Sequence, residues 1–143
     1  HYAVNLDHKH IPEMVSVCGL TLRPVFTPII CDFPQGMVVT VPLYFDMFTG
    51  AQSLESLRAL YNDYYAGSRF VTVRPPEAPT CGFIGSNNLT GTNSLQIFVC
   101  GSGEQVMLCA RLDNLGKGAS GAAVQNMNIM LGLDEGTGLT AKE

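Results

Sequence analysis

Residues 37–45 read M-V-V-T-V-P-L-Y-F, a run of β-branched, aromatic and aliphatic side chains interrupted only by Pro42. This is the strongest strand signal in the chain. A segment with so little polar surface has to be paired along its backbone and covered on a face, so the fold must contain a sheet with helices laid against it. Pro42 removes one ladder donor, which places the strand at an edge or a bulge.

The remaining pattern supplies the other parts. Leu54, Leu57, Tyr61, Tyr64 and Tyr65 recur at spacings of three and four and predict an amphipathic helix, opened by a capping box between Thr49 and Gln52 and ending near Gly67. Their stripe reads as core. Residues 70–73 form a short strand, and residues 74–82, with three prolines, a surface loop. Residues 94–100 and 105–112 read as antiparallel strands around the loop Gly101-Ser102-Gly103-Glu104. Earlier, residues 11–19 predict a short helix with Pro12 and Glu13 in its first turn and Gly19 closing it. Residues 22–27 read as a strand and residues 28–36 as a loop. After a glycine-bracketed turn over residues 113–118, residues 119–133 predict a final helix. The fold class expected is α+β: a mostly antiparallel or mixed sheet with helices on one face.

Composition narrows the partners. A chain of 143 residues is one domain's worth. A net charge of −4 with only eight Lys and Arg disfavours nucleic acid, which needs clustered positive surface. No apolar run reaches the roughly 18 residues of a membrane span, and no signal peptide opens the chain. It reads as cytoplasmic, which leaves small molecules or proteins as partners. The chain begins at His1 without an initiator methionine, as a piece of a longer polypeptide would. Cys18, Cys31, Cys81, Cys100 and Cys109 lack the spacing of a disulfide framework or a zinc knuckle, and are expected to be reduced and mostly buried. None makes a convincing nucleophile, Cys31 being the least improbable. Neither G-x-x-x-x-G-K-[ST] nor G-x-G-x-x-G occurs, so no nucleotide fingerprint is present.

Chemistry concentrates in residues 7–13, D-H-K-H-I-P-E. His8 and His10 would share a side of an extended segment. With Asp7 and Glu13 near, they could begin a zinc site, although no third ligand is evident, and no metal is expected. They could equally be solvated loop residues, or acid–base groups titrating near neutrality.

Three segments together resemble the C-terminal half of the N-acetyl-gamma-glutamyl-phosphate reductase family: residues 7–13; V-F-T-P-I-I-C-D-F-P-Q-G at 25–36; and D-N-L-G-K-G-A-S-G-A-A-V-Q-N-M-N-I-M-L-G-L at 113–133. The resemblance implies a C-terminal catalytic and dimerisation domain spanning residues 1–143. It would be built like that of glyceraldehyde-3-phosphate dehydrogenase and partnered by its own N-terminal Rossmann domain. That absent domain would bind most of the NADP and carry the nucleophilic cysteine of a Gly-Cys-aromatic-Pro-Thr motif, so this chain alone would be inactive. The implied reaction, in arginine biosynthesis, reduces N-acetyl-gamma-glutamyl phosphate to the semialdehyde through a thioester. The oligomer would be a homo-oligomer, with no nucleic acid or membrane involved.

The resemblance also implies roles. His10 would be the catalytic acid–base, with His8 the less favoured holder. Thr27, Gln35 and Glu13 would contact substrate, and Asn114, Lys117 and Gly118 the nicotinamide end of the cofactor. Ile29 stands where the family usually has histidine and Gln35 where it usually has arginine, which puts an anion clamp in doubt. A module that kept the fold and lost the chemistry is the alternative. Aspartate-semialdehyde dehydrogenase relatives are disfavoured by the H-x-H-x-P-E segment. The helix at 119–133 would pack on the Rossmann domain, turning Ala119, Ala122, Ala123, Val124, Met127 and Met130 toward it.

Overall fold

The strand signal at residues 37–45 becomes one edge of a four-stranded sheet in the computed structural model, which describes residues 1–50, 53–75 and 82–142. In chain order the elements are α1 (Ile11–Cys18), β1 (Met37–Tyr44), a 3-10 turn (Phe45–Met47), α2 (Leu54–Tyr64), β2 (Val71–Val73), β3 (Leu95–Ser102), β4 (Gln105–Leu112), a π-helical turn (Gly116–Ser120) and α3 (Gly121–Met130). They fall into two units, His1–Phe33 and Pro34–Glu143. The architecture is α+β.

In the second unit the strand order is β1-β4-β3-β2. β1 and β3 both pair antiparallel with β4, while β2 pairs parallel with β3, so the sheet is mixed. The β3–β4 hairpin turns through only Gly103 and Glu104, with Ser102 opposite Gln105. Gly103 has φ 59° and Glu104 a negative φ, which is the type II′ pattern that matches strand twist. Counting the alternation outward from that turn, Pro42, opposite Met107, falls at a non-hydrogen-bonded pair. Its nitrogen therefore faces away from β4 and no ladder bond is lost.

The core lies between α2 and one sheet face. Leu57, Val99 and Val106 are buried, with Leu43, Leu54, Tyr61 and Leu108 packed around them. Each such buried side chain contributes about 1.5–3 kcal/mol. Gly101 lets the helix come close, because a Cβ there would meet the Gln105 carbonyl and sit 3.1 Å from Leu54 Cδ2. Arg58 Nη2 fastens α2 further by donating to the Val99 carbonyl at 3.0 Å. On the opposite face the Arg111 guanidinium lies 5.1 Å from the Phe98 ring centroid and donates to Gln96.

Several expectations are corrected. Residues 22–27 are not a strand: Pro24 lacks a donor, Leu22 and Val25 stand exposed, and no strand lies in the first unit among the described residues to pair with them. The helix α2 is capped by Ser53, which exchanges hydrogen bonds with Ser56, rather than starting at Thr49. Gln52, of the predicted box, lies outside the described residues. Tyr64 is exposed at the end of α2, its ring edge-on to Tyr65, while Leu54, Leu57 and Tyr61 do face the core. Cys18 and Cys31 are exposed, Cys100 is half-buried and only Cys109 is buried; Cys81 lies outside the described residues. The final helix starts at Gly121 instead of 119, because the π-helical turn occupies the preceding residues. Among the described residues no helix is long and apolar enough to cross a membrane.

Candidate functional site

In the first unit, the H-x-H segment is the lead-in to α1. His10 is the N-cap, Pro12 sits in the first turn, Glu13 adds its charge at the positive helix end, and Gly19 closes the helix at φ 61°. The His10 main-chain N–H donates to His8 Nδ1 at 3.2 Å. The neutral His8 ring thus carries its proton on Nε2. That ring is half-buried and meets Tyr2, Phe26 and His10 edge-on, at centroid separations of 5.5, 5.1 and 4.8 Å. His10 is exposed, as are Glu13 and Thr27. The two histidines are therefore brought together with unequal freedom: His8 is built into an aromatic cluster, and His10 offers its ring to solvent. Asp7 pairs with Arg23 at 2.7 Å, and no grouping of His, Cys, Asp or Glu among the described residues could hold a metal ion.

In the second unit, Asp113 at the end of β4 organises the rest. Its carboxylate, 1% exposed, accepts from Leu115 N and Gly116 N through Oδ1 at 2.8 and 3.2 Å. Through Oδ2 it accepts from Gly91 N and Gln35 Nε2, both at 2.7 Å. Burial alone would raise its pKa, but these donors outweigh it and hold the carboxyl below its usual range. The next residue repeats the device, since Asn114 Oδ1 accepts from Gly36 N at 2.7 Å. Gly36 is required there: φ is 125°, and a Cβ would lie 2.6 Å from the Ser86 carbonyl oxygen. Gln35, Asn114 and the turn after them are thus one connected structure.

That turn is π-helical, with Gly118 N bonded to Asp113 O and Ser120 N to Leu115 O. Such bulges recur at functional positions. Lys117 Nζ donates to Gln125 Oε1 at 2.7 Å and lies 5.8 Å from the Phe70 ring centroid. Burial lowers its pKa, partly opposed by Glu135. Gln125 also accepts from Asn93 Nδ2 and donates to Glu135. A cleft of about 310 Å³ opens beside this network, lined by Gln35, Gly91, Asp113, Leu115, Ser120 and Thr140 among others.

Of the residues expected at the cofactor, Asn114 keeps its Nδ2 donors free of any hydrogen bond among the described residues. Lys117 and Gly118 are engaged internally and shape the turn. Asp113 is the residue that sequence reasoning passed over. An Asp at a strand end followed by N-x-G is the signature of a side chain bonding backbone amides two and three residues on, and that signal was available.

The family model of the semialdehyde dehydrogenase dimerisation domain matches residues 1–114. This chain belongs to that family. Among curated relatives, N-acetyl-gamma-glutamyl-phosphate reductase 2 of Nostoc sp. (strain PCC 7120 / SAG 25.82 / UTEX 2576) is 44% identical over 144 residues, covering 96% of this chain and 45% of that protein. N-acetyl-gamma-glutamyl-phosphate reductase of Brucella ovis is 46% identical over 134 residues, covering 92% of this chain and 43% of that protein. The resemblance to the N-acetyl-gamma-glutamyl-phosphate reductase family is borne out. The chain spans just under half the length of these relatives.

Proposed function

We propose that the chain is the C-terminal, dimer-forming domain of a cytoplasmic, NADP-dependent N-acetyl-gamma-glutamyl-phosphate reductase of arginine biosynthesis, acting as a homo-oligomer. The observation that carries the reading is identity of 44–46% to proteins of that name over more than nine-tenths of this chain. In this reading the upstream Rossmann domain binds most of the NADP and supplies the nucleophilic cysteine. Residues 119–133 pack against that domain.

His10 acts as the acid–base. Its exposed ring takes the thiol proton as sulfur attacks the acyl phosphate carbon and phosphate leaves. It then protonates the alkoxide that develops as the thioester is reduced, and the resulting hemithioacetal collapses to the semialdehyde with cleavage of the C–S bond and return of a proton to the thiol. His8 holds the His10 backbone and ring in place. NADPH, when bound, supplies the hydride. The donor set fits one end of that cofactor: the free Nδ2 of Asn114 suits a carbonyl oxygen, and the turn at Gly118 sets its position. Glu13 and Thr27, both exposed, are the remaining substrate contacts of the first unit.

A non-catalytic module is the second reading, favoured by Gln35 being tied to Asp113 where a free cation would clamp an anion. The two separate on one experiment. In the full-length protein, His10→Ala is expected to lower kcat/KM for the acyl phosphate by roughly 10²- to 10⁴-fold. A module without chemistry would show no turnover before or after the substitution. The chain alone, given NADPH and acyl phosphate, is expected to stay inactive, and turnover from it would overturn the domain assignment.

A further inference from the structure

We infer that Gln35, oriented by Asp113, is a specificity residue that accepts a hydrogen bond from the N-acyl amide N–H of the substrate. The inference rests on the reductase reading above and assigns a task within it.

Gln35 is fixed at two points. Its Nε2 donates to Asp113 Oδ2 at 2.7 Å, and its main-chain oxygen accepts from Thr90 Oγ1 at 3.3 Å. The side-chain orientation follows from chemistry, because an ionised carboxylate only accepts and the amide nitrogen must face it. The atom left over is Oε1, which has no hydrogen-bond partner among the described residues. A residue with an arginine's place in the family pattern thus presents an acceptor.

Asp113 reinforces that choice. Its charge is met by three backbone N–H groups and one neutral amide, and no salt bridge among the described residues pairs it with a cation. The cleft that both residues line therefore carries a fixed negative charge and a neutral acceptor. A phosphate or carboxylate brought there would be repelled, while an N–H donor would be welcomed. An N-acylglutamyl phosphate offers two anionic groups and one neutral donor, its amide N–H.

The test compares the acyl phosphate with the analogue whose amide N–H is replaced by an ester oxygen, using the full-length protein and the variants Gln35→Ala and Asp113→Asn. The wild type is expected to show a KM about tenfold higher for the ester, since a site built to pair with an N–H is left unpaired by its absence. Gln35→Ala should bring the ratio close to one while leaving kcat comparable for both substrates. Asp113→Asn, which frees the Gln35 amide to turn over, should reduce the ratio as well; if that variant fails to fold, Gln35→Ala decides alone. A wild-type ratio near one, or a ratio unchanged in Gln35→Ala, would overturn the inference while the reductase reading stands. An inactive wild type would sink that reading and this inference with it.

Discussion

The side-chain amide of Gln35 donates to the carboxylate of Asp113 across 2.7 Å, joining residues 78 positions apart in the chain. With Gly36 bonded to Asn114, this sews the segment before β1 to the turn after β4. Asp113→Ala would strand several inward-facing N–H donors, so a loss of about 3 kcal/mol is expected in urea unfolding. A loss under 1 kcal/mol would mean that the turn relaxes onto water.

The same carboxyl sets an acid limb. Its folded pKa lies below the ordinary value of about 3.9, so its contribution is fully present above that value and disappears as pH falls through the lower folded one. Thermal scans from pH 6 down to pH 2 should show a steeper decline for the wild type than for Asp113→Asn. Parallel curves would remove Asp113 from the account of acid stability.

Gly36→Ala tests the close approach. The positive φ and the 2.6 Å meeting with the Ser86 oxygen both oppose a Cβ, and backbone rather than a flexible side chain is in the way. A destabilisation of about 2–3 kcal/mol is expected, read as a fall in Tm. Gly19→Ala, with φ 61° and open space around it, should lose only about 1 kcal/mol.

His8 and His10 should respond unequally. Because His8 acts through the His10 backbone and ring, His8→Ala in the full-length protein is expected to reduce kcat/KM by about tenfold, less than His10→Ala. His8→Asn, which keeps an acceptor for the His10 N–H, should recover part of the loss. If His8→Ala proves the more damaging, the two roles exchange.

The last helix leaves Met127, Ile129, Met130 and Leu131 exposed, at 50, 55, 85 and 66%. A patch of this kind on the chain alone should bind a hydrophobic dye and promote self-association. Met130→Glu is expected to suppress both in sedimentation and fluorescence measurements without lowering Tm. Unchanged association would place the sticky surface elsewhere.

The legible parts of the fold were those where one period dominates over eight or more residues. Residues 37–45, the β3–β4 hairpin and α2 announced themselves that way, although Gly101, expected to open the hairpin loop, lies inside β3. The segment at 22–27 misled because β propensity measures fit to a sheet surface, and its one proline and exposed Leu22 and Val25 find no such surface. The parallel pairing of β2 was invisible in three residues, since its direction depends on the connections before and after it. For the candidate site, family-like motifs proposed His8, His10, Gln35 and Asn114. Asp113 was passed over although its local D-N-x-G context announces the bonds to Leu115 and Gly116; only its contacts from Gln35 and Gly91, distant in sequence, left no mark. Likewise, no pattern foretold that Lys117 would turn toward Gln125 and away from solvent.

Pro42 bears on how copies of the molecule can meet. The outward row of β1 offers N–H groups from Val38, Thr40 and Tyr44, and between the last two stands a nitrogen with no hydrogen to give. A strand trying to extend the sheet there would find its zipper missing a tooth. Fibre-like stacking through that margin is thereby discouraged.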